Sequence, residues 1–241
     1  MSPLSTSVVV VIPTYNEAEN IVSLVEEVLA LPCAPQLLIV DDDSPDGTGQ
    51  IADDLVVLHP GRVHVKHRTQ KQGLGRAYVD GFATALALGT DLIVQMDADH
   101  SHRPQDLQVM INTAIATDAD LVLGSRYIPG GSTVGWPRQR RWISRFGSWY
   151  SGAVLRVHIR DLTGGFKVWK RGLLERIDLP SITSDGYSFQ IETTWRAHQQ
   201  GAHIEQVPIV FHDRVAGASK LSRAVVFEAA AVVWKLRFSS R

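Results

Sequence analysis

The 241-residue chain has little cysteine, little net charge and no long apolar run. Its one cysteine, Cys33, excludes a disulfide within the chain and is typical of a protein kept in a reducing compartment. The formal net charge of −1 provides no overall positive field, which argues against nucleic acid as a partner. The late apolar run 224–234 is interrupted by Glu228 and is too short to cross a bilayer. The first residues also lack the basic and apolar regions of a secretion signal, so we expect a cytoplasmic protein that spans no membrane.

Apolar runs alternate along the chain with segments of helical periodicity. In order, the runs are SVVVVIP, QLLIVDDD, RVHVKHR, DLIVQMDAD and DLVLGSRY. Continuous β-branched runs are typical of strands buried on both faces, and helices are predicted over 16–31, 47–58, 73–88 and 104–117. The alternation predicts an α/β fold, with a mostly parallel sheet flanked by helices. The length and the 44% hydrophobic content favour a single domain over residues 1–241, with a first half to about residue 125 and a second from about 126.

Polar clusters close several of these runs, as IPTYNE, VDDDSPDGT, MDAD and GSRY. In open parallel sheets, ligands bind beyond the carboxyl ends of the strands. The clusters therefore predict one crevice that collects Tyr15, Glu17, Asp41, Asp42, Asp97, Asp99 and Arg126. Helix capping at each strand end separately would not bring these side chains together. The glycine- and proline-rich stretch 128–137 is predicted to be the most mobile loop.

Asp97 and Asp99 stand one residue apart at the end of the fourth predicted strand. Residues i and i+2 of an extended segment point the same way, so the two carboxylates share one face. Such a pair repels itself unless one member is protonated or a cation lies between them. The alternative is that both aspartates cap the helix that Pro104 opens. His100 and His102 nearby also suggest zinc, but two histidines without cysteines or a third nitrogen ligand make a poor zinc site.

Residues 135–160 mix basic and aromatic side chains and hold no acid before Asp161. The segment contains Arg138, Arg140, Arg141, Arg145, Arg156 and Arg160 among Trp136, Trp142 and Trp149. This mixture is typical of an interfacial surface that binds anionic lipid head groups, and arginine is well shaped to hold a phosphate. A solvated charged face is the alternative, while RNA binding is disfavoured by the neutral total charge and the absence of an RNA-module signature.

Several motifs together resemble one enzyme family. They are IPTYNE, IVDDDSPDGT, GLGRAY, MDADHSHRP, GSRY, DLTGGFKVW and GYSFQIE, and they span nearly the whole chain. In order and combination they resemble the family-2 glycosyltransferases of GT-A fold, and specifically the dolichol- or polyprenol-phosphate mannose synthases. The resemblance implies inverting transfer of mannose from GDP-mannose to a polyprenyl phosphate, with Mg²⁺ or Mn²⁺ as cofactor. The first half of the chain would bind the nucleotide, and the second half would face the acceptor and the membrane.

The resemblance also implies roles for individual residues. Asp97 and Asp99 would hold the metal on the donor diphosphate, with Ala98 between them in the nucleotide site and Ser101 as a further oxygen ligand. The base and ribose pocket would be lined by Pro13, Tyr15 and Glu17, and Asp41 or Asp42 would recognise the base. Arg126 and Arg140 would hold the acceptor phosphate, so that Asp99, Arg126 and Arg140 form the predicted catalytic set. Arg214 and Lys220 would contact the donor phosphates from a loop that closes over the site.

Two other functions stay open at the level of sequence. One is a related transferase that uses UDP-glucose or a different acceptor, because the base is the weakest part of the prediction. The other is a non-catalytic subunit that recruits membrane partners through the basic segment, although intact MDAD, GSRY and SKLS motifs argue against a degenerate site. We expect the protein to lie on the cytoplasmic face of a membrane, held by the basic segment or by a separate membrane-anchoring protein.

Overall fold

The computed structural model describes residues 6–213 and 223–239, and within them nine strands and eight α-helices are assigned. The strands are β1 (Val8–Thr14), β2 (Gln36–Asp41), β3 (Val63–His67), β4 (Leu92–Gln95), β5 (Leu121–Ser125), β6 (Ser132–Val134), β7 (Lys167–Lys170), β8 (Ile204–Pro208) and β9 (Val210–His212). The helices are α1 (Ile21–Leu29), α2 (Thr48–Leu58), α3 (Leu74–Leu88), α4 (Pro104–Thr117), α5 (Arg138–Leu155), α6 (Arg171–Arg176), α7 (Gly186–Gln199) and α8 (Arg223–Ser239).

The main sheet has seven strands in the order β3-β2-β1-β4-β7-β5-β8. All neighbouring strands run parallel except β7, which pairs antiparallel with both β4 and β5. The predicted α/β class with a mostly parallel sheet is therefore confirmed. The chain runs outward from β1 to β3 and then returns to place β4 on the other side of β1, which creates a topological switch point at the carboxyl ends of β1 and β4.

Helices cover both faces of the sheet, so strand β1 is buried on both sides and its sequence is apolar throughout. Val8, Val10 and Ile12 pack into one buried cluster, while Val9 and Val11 pack into another on the opposite face. Helix α3 approaches β1 closely at Gly81, where an added Cβ would lie 2.5 Å from Cγ1 of Val11. Glycine at this position lets the helix backbone reach the sheet.

The structure corrects three details of the sequence-based prediction. Stretch 128–137 is not simply a loop, because it contains β6, which pairs in parallel with β9. Helix α1 begins at Ile21 instead of residue 16, since Asn16 has a φ of 60° and the carbonyl of Glu17 closes a turn before the helix. The antiparallel strand β7 was not predicted at all. Among the described residues, no helix is long and apolar enough to span a bilayer.

Candidate active site

A crevice of about 410 Å³ opens at the carboxyl ends of the central strands. It is lined by side chains that follow β1, β2, β4 and β5, together with residues of α3, α5 and the start of α7. The sequence-predicted residues that line it are Pro13, Tyr15, Glu17, Asp42, Asp97, Ala98, Asp99, Arg126 and Arg140. Segments far apart in sequence thus meet at the switch point, where an open α/β sheet places its ligand.

Asp97 and Asp99 are each held by a hydrogen bond to one carboxylate oxygen. The Tyr78 hydroxyl donates to Oδ1 of Asp97 at 2.9 Å, and the backbone N–H of Ser101 donates to Oδ1 of Asp99 at 3.1 Å. Burial raises the pKa of Tyr78 well above its usual value, and the charge of Asp97 raises it further, so the phenol stays a donor. These bonds fix both carboxylates in the crevice wall.

The carboxylate pair suits a divalent cation that arrives with a phosphate ligand. Oxygen ligands are what Mg²⁺ and Mn²⁺ prefer. Within residues 6–213 and 223–239, no group of three or more His, Cys, Asp or Glu side chains is placed to hold a metal on its own. Asp97 and Asp99 therefore fit a cation whose remaining ligands are substrate oxygens and water, which is the usual manner of Mg²⁺ binding at phosphates.

The polar residues that follow this pair lie mostly behind the crevice wall. Ser101 is fully buried, is not among the lining residues, and its Oγ has no hydrogen-bond partner in the described part of the chain. His102 accepts the N–H of Asp97 at Nδ1 (3.1 Å), and its ring stacks on Phe166. Burial lowers the pKa of His102, which agrees with a neutral ring that supports the loop. His100 contacts Ser23, so the two histidines have different partners.

The structure separates the two neighbouring aspartates after β2. Asp41 faces a turn, where it accepts hydrogen bonds from the hydroxyls of Thr14 (3.0 Å) and Ser44 (2.6 Å), and it does not line the crevice. Asp42 lines the crevice and forms an ion pair with Arg68. Of the two alternatives left open by the sequence, Asp42 is the one that faces the site.

Tyr15 and Glu17 form the wall next to Asp42. The ammonium of Lys71 lies 3.3 Å from the centroid of the Tyr15 ring, a cation–π contact that the sequence did not suggest. The backbone N–H of Glu17 is held by the Thr48 hydroxyl at 3.0 Å, which fixes the turn after β1. Lys71 and Arg68 were missed, although basic residues follow β3 just as polar clusters follow its neighbours.

The two predicted phosphate-binding arginines lie at the β5 side of the crevice, and both have acidic partners. Nε and Nη2 of Arg126 donate to Asp161 at 2.7 and 2.6 Å, and Nη2 also donates to Thr163. Burial alone would lower the pKa of Arg126, but the charge and hydrogen bonds of Asp161 outweigh burial and raise it. Nη1 of Arg140 donates to Asp213 at 2.6 Å. Arg214 and Lys220 lie outside the described residues.

Several lining residues come from a segment whose role the sequence did not define. Asp185 accepts the N–H of Gly75 at 2.6 Å, and a Cβ on Gly73 would lie 2.3 Å from its Oδ2. Gly73 also has a φ of +97°, so the GLG motif is explained by close packing against this aspartate. Gln190 of α7 lines the crevice and accepts from Gln95 at 2.6 Å. The GYSFQIE motif was the available signal for this wall.

A second cavity, of about 520 Å³, lies among α7, α8 and segment 176–184. Its arginine, Arg196, is already committed to Glu192 and to Ser181. None of the strand-end motifs contributes to this cavity. The chemistry of the strand ends therefore selects the smaller crevice as the candidate active site.

Known proteins resemble this chain in family, sequence and fold. A sequence model of glycosyl transferase family 2 matches residues 9–178. The chain is 46% identical over 220 residues to a polyprenol monophosphomannose synthase of Mycolicibacterium smegmatis, covering 91% of this chain and 83% of that protein. It is 43% identical over 234 residues to an undecaprenyl-phosphate mannosyltransferase of Micrococcus luteus, covering 97% and 95% of the two chains.

Solved structures support the fold. Glucosyl-3-phosphoglycerate synthase of Mycobacterium tuberculosis, in complex with Mn²⁺, UDP and glucosyl-3-phosphoglycerate, superposes with a TM-score of 0.71 at 17% identity, covering 97% of this chain and 80% of that one. The same enzyme with Mn²⁺ and UDP-glucose gives 0.71 at 19% identity, with 97% and 79% covered. At these identities the likeness establishes the shared GT-A architecture.

Proposed function

The chain belongs to glycosyl transferase family 2, and we propose that it transfers mannose from GDP-mannose to a polyprenyl phosphate. Two relatives with at least 43% identity are named for mannose transfer to polyprenyl phosphates, and each match covers more than nine tenths of this chain. The observation that carries the proposal is the order of charged groups along one crevice. Asp42 follows β2, Asp97 and Asp99 follow β4, and Arg126 follows β5.

This order fits a nucleotide sugar and an acceptor phosphate laid across the sheet. Adjacent strands are about 4.8 Å apart, and β2 is separated from β5 by four such steps, or roughly 19 Å. That span accommodates a nucleoside at the Asp42 end, a diphosphate beside the paired carboxylates and a second phosphate beside the arginines. Asp97 and Asp99 would hold Mg²⁺ or Mn²⁺, which when bound neutralises negative charge on the departing diphosphate. The Mn²⁺ complexes of the structural neighbours support a divalent ion in this fold.

The transfer needs no dedicated general base. A polyprenyl phosphate is already anionic, so Arg126 and Arg140 need only orient one of its oxygens toward the anomeric carbon. A bond forms between that oxygen and the anomeric carbon as the bond from this carbon to the GDP oxygen breaks. The single displacement inverts the anomeric centre, so an α-linked donor gives polyprenyl phosphate β-mannose.

Helix α5 supports a membrane-bound acceptor, because its exposed face carries three large aromatic side chains among arginines. Trp142, Phe146 and Trp149 are 74%, 59% and 65% exposed, whereas the buried face carries Ser144, Ser148 and Ser151. A helix between protein and water normally shows the opposite pattern. The exposed aromatics are flanked by arginines and α5 contains no acid. We infer that α5 lies on an anionic membrane surface on the cytoplasmic side, where the lipid tail of the acceptor is anchored.

The proposed substrates are tested by offering two labelled donors to the purified protein. GDP-mannose and UDP-glucose, each radiolabelled in the sugar, are incubated with undecaprenyl phosphate and Mg²⁺ or Mn²⁺, and the lipid is extracted into solvent. We expect label in the lipid phase from GDP-mannose only. Undecaprenol without the phosphate is the matched control and should give none. Efficient transfer from UDP-glucose would show that UDP-glucose, and not GDP-mannose, is the donor. Label in the undecaprenol control would overturn the role of the acceptor phosphate.

A further inference from the structure

A buried arginine beside the crevice was not among the predicted site residues. Arg68 directly follows β3, and its side chain is 6% exposed. Its guanidinium joins three parts of the chain. Nη1 donates to Asp42 after β2, Nε donates to Asp80 of α3 at 2.8 Å, and Nη2 donates to the Gln72 side chain at 2.8 Å.

The ion pair fixes the orientation of Asp42. Asp42 is 4% exposed in the crevice wall, and a carboxylate at that depth is costly unless it is paired. Arg68 supplies the pairing charge, and the backbone N–H of Gln72 points at the same carboxylate from 3.3 Å. The planar fork of arginine holds its partners in set directions, which the single ammonium of a lysine does not do. Asp42 therefore presents its carboxylate to the crevice in one orientation.

Arg68 also contacts the segment that carries a second residue of the crevice wall. Gln72, which Arg68 holds by its side chain, is adjacent to Lys71 in the chain. The ammonium of Lys71 lies over the Tyr15 ring at 3.3 Å. Lys71 is therefore the chain neighbour of a residue that Arg68 holds.

The position of Asp42 in the sheet indicates which part of a donor it meets. Strand β2 is two neighbours away from β4, so Asp42 lies roughly 10 Å across the sheet from Asp97 and Asp99. A diphosphate beside the paired carboxylates places its nucleobase about that far away. A carboxylate accepts hydrogen bonds only, so it suits the N–H groups on the edge of a base.

We propose that Arg68 is a positioning residue that sets the nucleobase selectivity of this site by presenting Asp42 to the edge of the base. The inference rests on the proposed function in that the donor is a nucleoside diphosphate sugar. Guanine offers two adjacent N–H groups to a carboxylate, whereas uracil offers one. A displaced Asp42 therefore weakens GDP binding more than UDP binding. The site discriminates strongly between the bases only while its carboxylate is in place to accept hydrogen bonds from their N–H groups.

The test measures GDP and UDP binding by calorimetry at constant Mg²⁺. For Arg68→Lys we expect the dissociation constant of GDP to rise at least about tenfold and that of UDP by less than about threefold. Asp80→Asn removes the charge of Asp80, the outer partner of Arg68, whose own side chain is 6% exposed while that of Asp80 is 42% exposed. It should raise the dissociation constant of GDP relative to that of UDP by a smaller factor. The matched control is Arg62→Lys. Arg62 precedes β3 at its other end and donates to the carbonyls of Pro35 and Leu29.

The outcomes distinguish failure of the Arg68 inference from failure of GDP-mannose as the proposed donor. If folded Arg68→Lys and Asp80→Asn proteins keep the wild-type ratio of GDP to UDP affinity, Arg68 does not set selectivity. A change of equal size in Arg62→Lys would show general loosening of the sheet edge and would also overturn the inference. A wild-type preference for UDP would refute GDP-mannose as donor. The Arg68 inference would then be upheld only if Arg68→Lys still weakens GDP binding more than UDP binding.

Discussion

At the scale of single residues, Arg140 is held in the crevice wall by two contacts. Its guanidinium carbon stands 4.0 Å from the centroid of the Trp136 ring, and Nη1 donates to Asp213. The ring and the carboxylate together hold the long side chain in one place, which reduces the entropy lost on binding. Arg126 differs because its Nε and Nη2 both donate to Asp161, and Nη2 also donates to Thr163.

Arg140→Ala should impair use of the acceptor far more than binding of the donor. Loss of a charge-assisted partner of a phosphate costs about 1.5–3 kcal/mol, so acceptor kcat/KM should fall by at least about tenfold. Arg140→Lys should recover only part of the loss because it lacks the planar fork. Steady-state kinetics with each substrate varied, and donor calorimetry without acceptor, measure the two effects. Arg171→Ala on α6 serves as control, and lost donor affinity with normal acceptor kinetics would move Arg140 to the diphosphate site.

Asp99→Ala should abolish transfer while leaving the fold intact. The proposed role of the carboxylate is to hold a cation on the diphosphate, so circular dichroism should be unchanged. Excess chelator should inactivate the wild type, and Mg²⁺ or Mn²⁺ should restore it. Asp54→Ala, an exposed change on α2, should behave as wild type in every assay. Full wild-type activity in chelator would refute a metal role for the pair.

Lys167 is a buried lysine on β7 that should make stability depend on pH. Burial lowers its pKa well below 10.5, and its Nζ donates to the Gln190 carbonyl and the Thr193 hydroxyl at 2.9 Å. Just below pH 10.5 the unfolded chain therefore binds a proton that the folded chain does not, so stability falls as the pH decreases.

Lys167→Met should remove this dependence. The unfolding free energy of wild type relative to the variant should rise with pH toward 10.5, by at most about 1.4 kcal/mol per pH unit. Urea denaturation at a series of pH values measures the difference. A constant difference between the two proteins would show that Lys167 is charged in the folded state.

At the scale of elements, the strands and helices of the first half were largely predictable, because each parallel strand is a continuous apolar run. Strand β7 was not predictable, since it is only KVWK, in which lysines flank two apolar residues. Its identity depends on pairing with β4 and β5, between which it is inserted antiparallel. Strands β6 and β9 are three residues each and are defined by their mutual pairing, which no local pattern reveals.

The exposed aromatics of α5 should bind membranes. Co-sedimentation of the wild type with liposomes should rise with anionic lipid and fall with salt, since surface attraction is screened over about 8 Å at physiological ionic strength. Replacing Trp142 and Trp149 by serine should remove most of the binding without unfolding the protein. Leu58→Ser, at a 66% exposed position of α2, is the matched control. No liposome binding by the wild type would indicate that a separate membrane protein anchors the chain.

At the scale of the whole molecule, the crevice was predictable because strand-end positions converge in any open parallel sheet. The choice of Asp42 over Asp41 was not predictable, because it depends on which of the two carboxylates accepts the hydrogen bond of Ser44 in the turn. Arg68 was missed because a charged residue after a weak strand suggests a surface position, and only its contacts with Asp42 and Asp80 show that it is buried. Arg214 and Lys220 stay predictions.

The proposed reaction moves mannose directly from a nucleotide to a lipid phosphate in one crevice, by a single displacement. The most direct measurement is nuclear magnetic resonance of the lipid product formed from GDP-α-mannose labelled with ¹³C at the anomeric carbon. The one-bond carbon–hydrogen coupling of that carbon distinguishes the two anomers. We expect β-linked mannosyl phosphate as the sole product. An α-linked product, or labelled mannose released to water with none in the lipid, would contradict it.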